Sequence, residues 1–92
     1  MSQRPIRSHT FRGKRYRIVE ARLHKPTIGD CDHPTTPRKR VRIAKGLDGL
    51  AHLDTVIHES LHACFWDMNE QAIDKAATDI ARFVWRLGYH RN

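Results

Sequence analysis

The chain is poor in the features that mark several protein classes. It has two cysteines, Cys31 and Cys64, in 92 residues, which is no disulfide framework. They also lack the paired Cys-x-x-Cys spacing of a zinc finger. No apolar run is long enough to span a membrane or to act as a signal peptide, so a soluble, reducing, cytoplasmic setting is expected. No internal repeat or low-complexity tract is visible. Aromatic residues make up only 8 % of the chain, and no aromatic-and-basic pattern suggests a stacking surface for single-stranded nucleic acid. Ninety-two residues allow one domain, 1–92, with a modest core. Bound metal would help so small a fold, because its binding free energy can become folding free energy.

Acids are scarce in the first half. Residues 1–45 carry thirteen Lys and Arg against three acids (+10), and residues 46–92 carry four against seven (−3), giving the net +7. A basic half attracts nucleic acid or other polyanions, here through residues 12–45. The alternative is a solvated basic sheet face that keeps a small domain soluble.

Residues 1–10 are expected to be flexible, followed by a turn at Arg12-Gly13-Lys14 that could close a short hairpin between Phe11 and Tyr16. Residues 15–21 alternate basic and apolar, as a strand with one solvated face does. Residues 23–28 could extend it, with Pro26 marking an edge or a break. Residues 29–38 are dense in turn formers and read as a loop. Residues 40–45 alternate strictly and read as a strand with Val41 and Ile43 on one side. Gly46-Leu47-Asp48-Gly49 closes it, and a helix follows over about 50–66, N-capped by Asp48 or Asp54. A second helix runs from about 69 to 87, with Gly88 as the residue after its end. The expected fold is α+β: a small antiparallel sheet of two to four strands (about 11–45) packed on a two-helix hairpin.

The first helix carries His58-Glu59-Ser60-Leu61-His62. His-Glu-x-x-His on a helix puts two imidazoles one turn apart on one face, where neutral ring nitrogens can bind one Zn²⁺ with the Glu beside it as general base. Ile57, Leu61, Cys64 and Phe65 form an apolar stripe that His58 and His62 border, so the imidazoles are expected to face inward. Cys64 reads as a small buried hydrophobe. The second helix has an apolar stripe of Ile73, Ala77, Ile80, Ala81, Val84 and Leu87. At 100° per residue, Glu70 and Asp74 each fall about 20° from a stripe residue, so both carboxylates are placed on the buried face. Buried carboxylates are costly unless paired or bound to metal. Glu70 is therefore the candidate third ligand, and Asp74 the acceptor that orients a ligand histidine. A capping box from Asp67 to Glu70 is the competing role for Glu70. The remaining histidines show no ligand spacing, and Trp66 and Trp85 read as packing for the helix hairpin.

His58-Glu59-x-x-His62 followed by Glu70-x-x-x-Asp74 resembles the gluzincin pattern of zinc metallopeptidases, and its short spacing, with Glu70 only eight positions after His62, is similar to that of minimal gluzincin-like or SprT-like proteins of bacteria and their phages. The resemblance covers about residues 40–87. It implies a zincin-like domain with zinc on His58, His62 and Glu70, Asp74 behind them, Glu59 as general base, and a polypeptide substrate along a strand edge. The strand at 40–45 is the candidate edge. No oxyanion-stabilising group is evident; Tyr89 and His90 are speculative candidates against the simpler reading of a disordered tail. The non-enzymatic alternatives are a zinc-stabilised module that binds nucleic acid or a partner, and a metal-free α+β domain.

Overall fold

The computed structural model describes residues 6–89. Within them the order is β1 (Ser8–Phe11), β2 (Lys14–Ala21), β3 (Gly29–Cys31), β4 (Arg40–Ala44), α1 (Gly49–Cys64) and α2 (Glu70–Arg86). This is the expected small α+β fold, a four-stranded sheet with a helix pair.

The β1–β2 hairpin turns at Arg12 and Gly13, both at positive φ (48° and 78°), the backbone that tight two-residue hairpins need. Ordered structure thus begins earlier than expected: Ser8, His9 and Thr10 pair with Arg17, Tyr16 and Arg15. Arg7 O also accepts from Ile18 N at 2.9 Å, and residues 1–5 of the segment expected to be flexible lie outside the described residues. The Arg12 guanidinium donates to the carbonyl of Cys64 at 2.9 Å and lies over the Phe65 ring. A cation at the C-terminal end of α1 meets the negative pole of the helix, so the contact ties the hairpin to α1.

Strand order is β1-β2-β4-β3, with β2 and β4 parallel. The sheet is therefore mixed rather than wholly antiparallel. The chain leaves β2, runs back as β3, reverses again and inserts β4 between them, so two reversals restore the direction of β2. Two expectations change as a consequence. The 40–45 strand is interior, and the edge beside the helices is β3. Residues 29–31, expected to be loop, form that edge strand because β4 supplies the partners: Ala44 N donates to Ile28 O at 2.8 Å and Asp32 N to Arg40 O at 2.9 Å. In an antiparallel ladder alternate residues face the partner, so residues 28, 30 and 32 face β4. The N–H and C=O groups of Gly29 and Cys31 then face the open edge.

The inner sheet face contributes Tyr16, Val41 and Ile43, which pack with Ala63 of α1 and with Phe11, Ile18, Cys31, Leu47 and Val56. Tyr16 is fully buried and its hydroxyl has no hydrogen-bond partner among the described residues. Burial and then the nearby thiols and Asp32 raise its pKa. Helix α1 lies on this face, and α2 lies on α1; among the described residues α2 does not reach the sheet. The buried residues of α1 are Thr55, Glu59 and Ala63. The expected stripe is only half-buried at Ile57, Leu61 and Cys64, and Phe65 is exposed. The face turned to the sheet is the one with Thr55, Glu59 and Ala63, and β3 approaches the first two closely. A Cβ on Gly29 would stand 2.7 Å from Thr55 Cγ2 and 2.9 Å from Glu59 Oε2. On α2, Ile73, Ala77 and Ala81 are buried against α1, whereas Ile80 and Leu87 stay exposed because that helix has a single partner.

Candidate metal centre

The two helix N-termini decide which residues meet. Asp48 occupies the N-cap position of α1, without a side-chain cap bond. Asn69 caps α2 through its side chain, accepting from Gln71 N at 2.8 Å and Ala72 N at 3.2 Å. This displaces the capping box from Asp67 to Glu70. Glu70 is the first residue of α2, and its carboxylate is turned to the histidines of α1.

There the atoms converge. His58 Nε2 and His62 Nε2 are 3.1 Å apart. One oxygen of Glu70 lies 3.1 Å from His58 Nε2 and the other 2.8 Å from His62 Nε2. Asp74 Oδ1 lies 3.1 Å from the opposite nitrogen, His58 Nδ1. With an ion held at Nε2, Nδ1–H would donate to the Asp74 carboxylate, the arrangement that presents the Nε2 lone pair to the metal. Two imidazole nitrogens and a carboxylate suit zinc, and a tetrahedral ion with bonds near 2.0–2.1 Å separates its ligand atoms by about 3.3 Å. The observed spacings come close to that, so the donor set fits the ion. His58, Glu59 and His62 can each offer one ligand atom within 4.8 Å of one another, as can His58, Glu70 and Asp74.

Glu70 and Asp74 are not buried: their side chains are 63 % and 61 % exposed. The helical phase that turns them toward α1 is as expected, but the rim between the helices stays open among the described residues. Glu59 is the buried acid, 5 % exposed. Its carboxyl is pushed up to about 7, chiefly by burial; His58 pulls it down, while Asp30, Glu70 and Asp74 push it up. Glu59 makes no hydrogen bond among the described residues. Trp66 lies beside His62, ring centres 6.3 Å apart, and His33 meets the Trp66 ring edge-on at 4.9 Å. Trp85 lies over the start of α1, where a Cβ on Gly49 would meet its ring at 3.1 Å.

The other suggested residues lie elsewhere. Tyr89 is exposed beyond the far end of α2, about 25 Å from Glu70 by the rise of a seventeen-residue helix, so it cannot assist the site. His90 lies outside the described residues. His52 pairs with Glu20 at 3.4 Å. Cys31 and Cys64 are free thiols, and Cys31 is pushed up to about 12 by burial and the surrounding carboxylates.

A cleft of about 510 Å³ opens beside His58, between the 26–29 segment, α1 and α2. Gly29, Asp54 and Thr78 line it; the sequence suggested Asp54 only as a helix cap and gave the other two no role at a site. Their signal was weak: a single glycine among turn formers, and polar residues on helix faces where polar residues are common. No protein-family model, curated protein or solved structure matches the chain. The gluzincin-like resemblance therefore rests on the residues themselves.

Proposed function

We propose that the protein is a zinc-dependent peptidase of minimal gluzincin-like type, acting on a polypeptide laid along the open edge of β3. The convergence of His58 Nε2, His62 Nε2 and both Glu70 oxygens, with Asp74 behind His58, carries this reading. Zinc on those three residues would polarise a scissile carbonyl and lower the pKa of water toward neutrality. Glu59, next to His58 in sequence and free of other partners, takes a proton from the attacking water and returns it to the leaving nitrogen. Gly29 and Thr55 pack closely against the Glu59 side chain on one side, and the cleft beside His58 opens on the other. The outward N–H and C=O of Gly29 and Cys31 can bond an added strand, bringing its backbone past Glu59.

The decisive comparison is wild type against Glu59→Gln on a mixed peptide pool, with bound zinc measured in both. The peptidase reading expects one zinc per chain in each protein and hydrolysis only in wild type. Hydrolysis by both proteins, or by neither, would count against it. Absence of zinc from both would leave the cluster as a metal-free histidine–carboxylate network.

A second reading concerns the outer sheet face. Arg17 and Arg40 are register partners there, with Arg15 two residues along β2. Like charges directly opposite on neighbouring strands repel, and a bound polyanion relieves them. Arg40 and Arg42 already have Asp32 and Asp30 as partners, so Arg15→Glu with Arg17→Glu is the sharper test. Loss of nucleic-acid binding in that double variant supports the reading. The face is separate from the metal centre, so both activities can coexist. No helix among the described residues is long and apolar enough to cross a membrane. The two free thiols suit a reducing compartment, and the cytoplasm is the setting proposed.

A further inference from the structure

The cleft beside His58 has a charge opposite to that of the whole chain. The net charge is +7, yet the cleft is lined by the carboxylates of Asp54, Glu59 and Asp74 and by no Lys or Arg. Two of these acids have duties in the metal centre. Asp54 does not. It lies four residues before His58 on the same face of α1, one turn or about 5.4 Å along the helix. Thr78 of α2 donates to Asp54 Oδ2 at 3.1 Å, which fixes the carboxylate between the helices. Its other oxygen has no partner among the described residues. Pro26 and Ile28 line the same cleft, and Ile28 is half exposed (50 %). Glu59, unpartnered and more than nine-tenths buried, points into the same space. An apolar wall ending at a fixed carboxylate matches one kind of side chain: a long aliphatic stem with a cationic tip.

We propose that this cleft is a specificity pocket for a lysine or arginine side chain of the bound peptide, with Asp54 as its counter-charge. The inference rests on the peptidase reading and names its substrate class. The side chain belongs to a residue next to the scissile bond, since a four-carbon stem spans about the one turn that separates Asp54 from His58. Its methylenes lie on Pro26 and Ile28. Glutamate at the same position would meet three carboxylates and be rejected.

The test is binding rather than turnover. Zinc-loaded Glu59→Gln protein is titrated with a set of otherwise identical short peptides carrying lysine, arginine, norleucine or glutamate at one position, followed by calorimetry. Lysine and arginine peptides are expected to bind about tenfold tighter than norleucine, and glutamate weaker than both. Adding Asp54→Asn should erase the lysine preference and leave norleucine binding in place. Should that variant fold poorly, salt gives the same information on the unaltered pocket: raising it should weaken the lysine peptide and spare norleucine. Equal binding of lysine and norleucine, or a preference that survives Asp54→Asn, overturns the pocket and leaves the peptidase reading standing. If the protein holds zinc but none of the peptides binds, the peptidase reading fails and takes the pocket with it.

Discussion

Glu59→Gln is expected to stabilise the zinc-free protein at pH 8 and to change it much less at pH 5. The cause is the position of Glu59, 5 % exposed and with its carboxyl raised from about 4.5 to about 7 by burial and neighbouring acids. The folded state holds this proton more tightly than the unfolded chain does. Stability from this group is therefore full below the unfolded pKa and falls as pH rises from about 4.5 to about 7, then stays level. At 1.36 kcal/mol per unit the full penalty is about 3 kcal/mol, most of which accrues between pH 5 and pH 8. Glutamine has nearly the same shape and does not titrate. Urea unfolding of both proteins in chelator, across that range, gives the difference in stability; groups common to the two largely cancel. The difference should grow with pH in favour of the variant. Saturating zinc should shrink it, since a nearby cation favours the charged carboxylate. A difference that stays flat, or grows in the other direction, would refute the burial of Glu59 beside the other carboxylates.

Three further outcomes follow from the same geometry. Gly29→Ala should destabilise the fold by about 1–3 kcal/mol, because the new methyl meets Thr55 and the Glu59 carboxylate; Thr55→Ser in the same chain should restore part of the loss in thermal denaturation. Asn69→Ala removes the cap of α2 and should cost about 1 kcal/mol, while weakening zinc binding because Glu70 is the next residue. Asp74→Asn keeps the size of the side chain but loses the charge that holds His58 Nδ1–H, so zinc affinity in a chelator competition should fall about 10–100-fold with little change in helix content.

The parts of this molecule that were readable in sequence are those with local periodicity. Helix spacing alone brought His58 and His62 together, and the phase of α2 turned Glu70 and Asp74 toward them. What stayed hidden depended on non-local pairing. β3 is three residues of Gly-Asp-Cys, too short to alternate and built from residues that strands disfavour; its partner β4 makes it a strand. The parallel β2–β4 pair needs two chain reversals that no local pattern encodes. Apolar spacing points to Ile57 and Leu61 as the buried face of α1, and the structure differs. Packing on the sheet instead buries Thr55 and Glu59 beneath β3 and Ala63 against Tyr16, Val41 and Ile43. The exposure of Glu70 and Asp74 was also beyond reach, since helical phase gives a direction and not what stands in front of it.

The most direct measurement is a zinc titration, in competition with a chromophoric chelator, of wild type beside His62→Ala, Glu70→Ala and the remote Lys75→Ala. Convergence of the two helices on one ion predicts a single tight site in wild type and in Lys75→Ala, lost in His62→Ala and strongly weakened in Glu70→Ala. No tight site in wild type, or an undiminished one in Glu70→Ala, would contradict it.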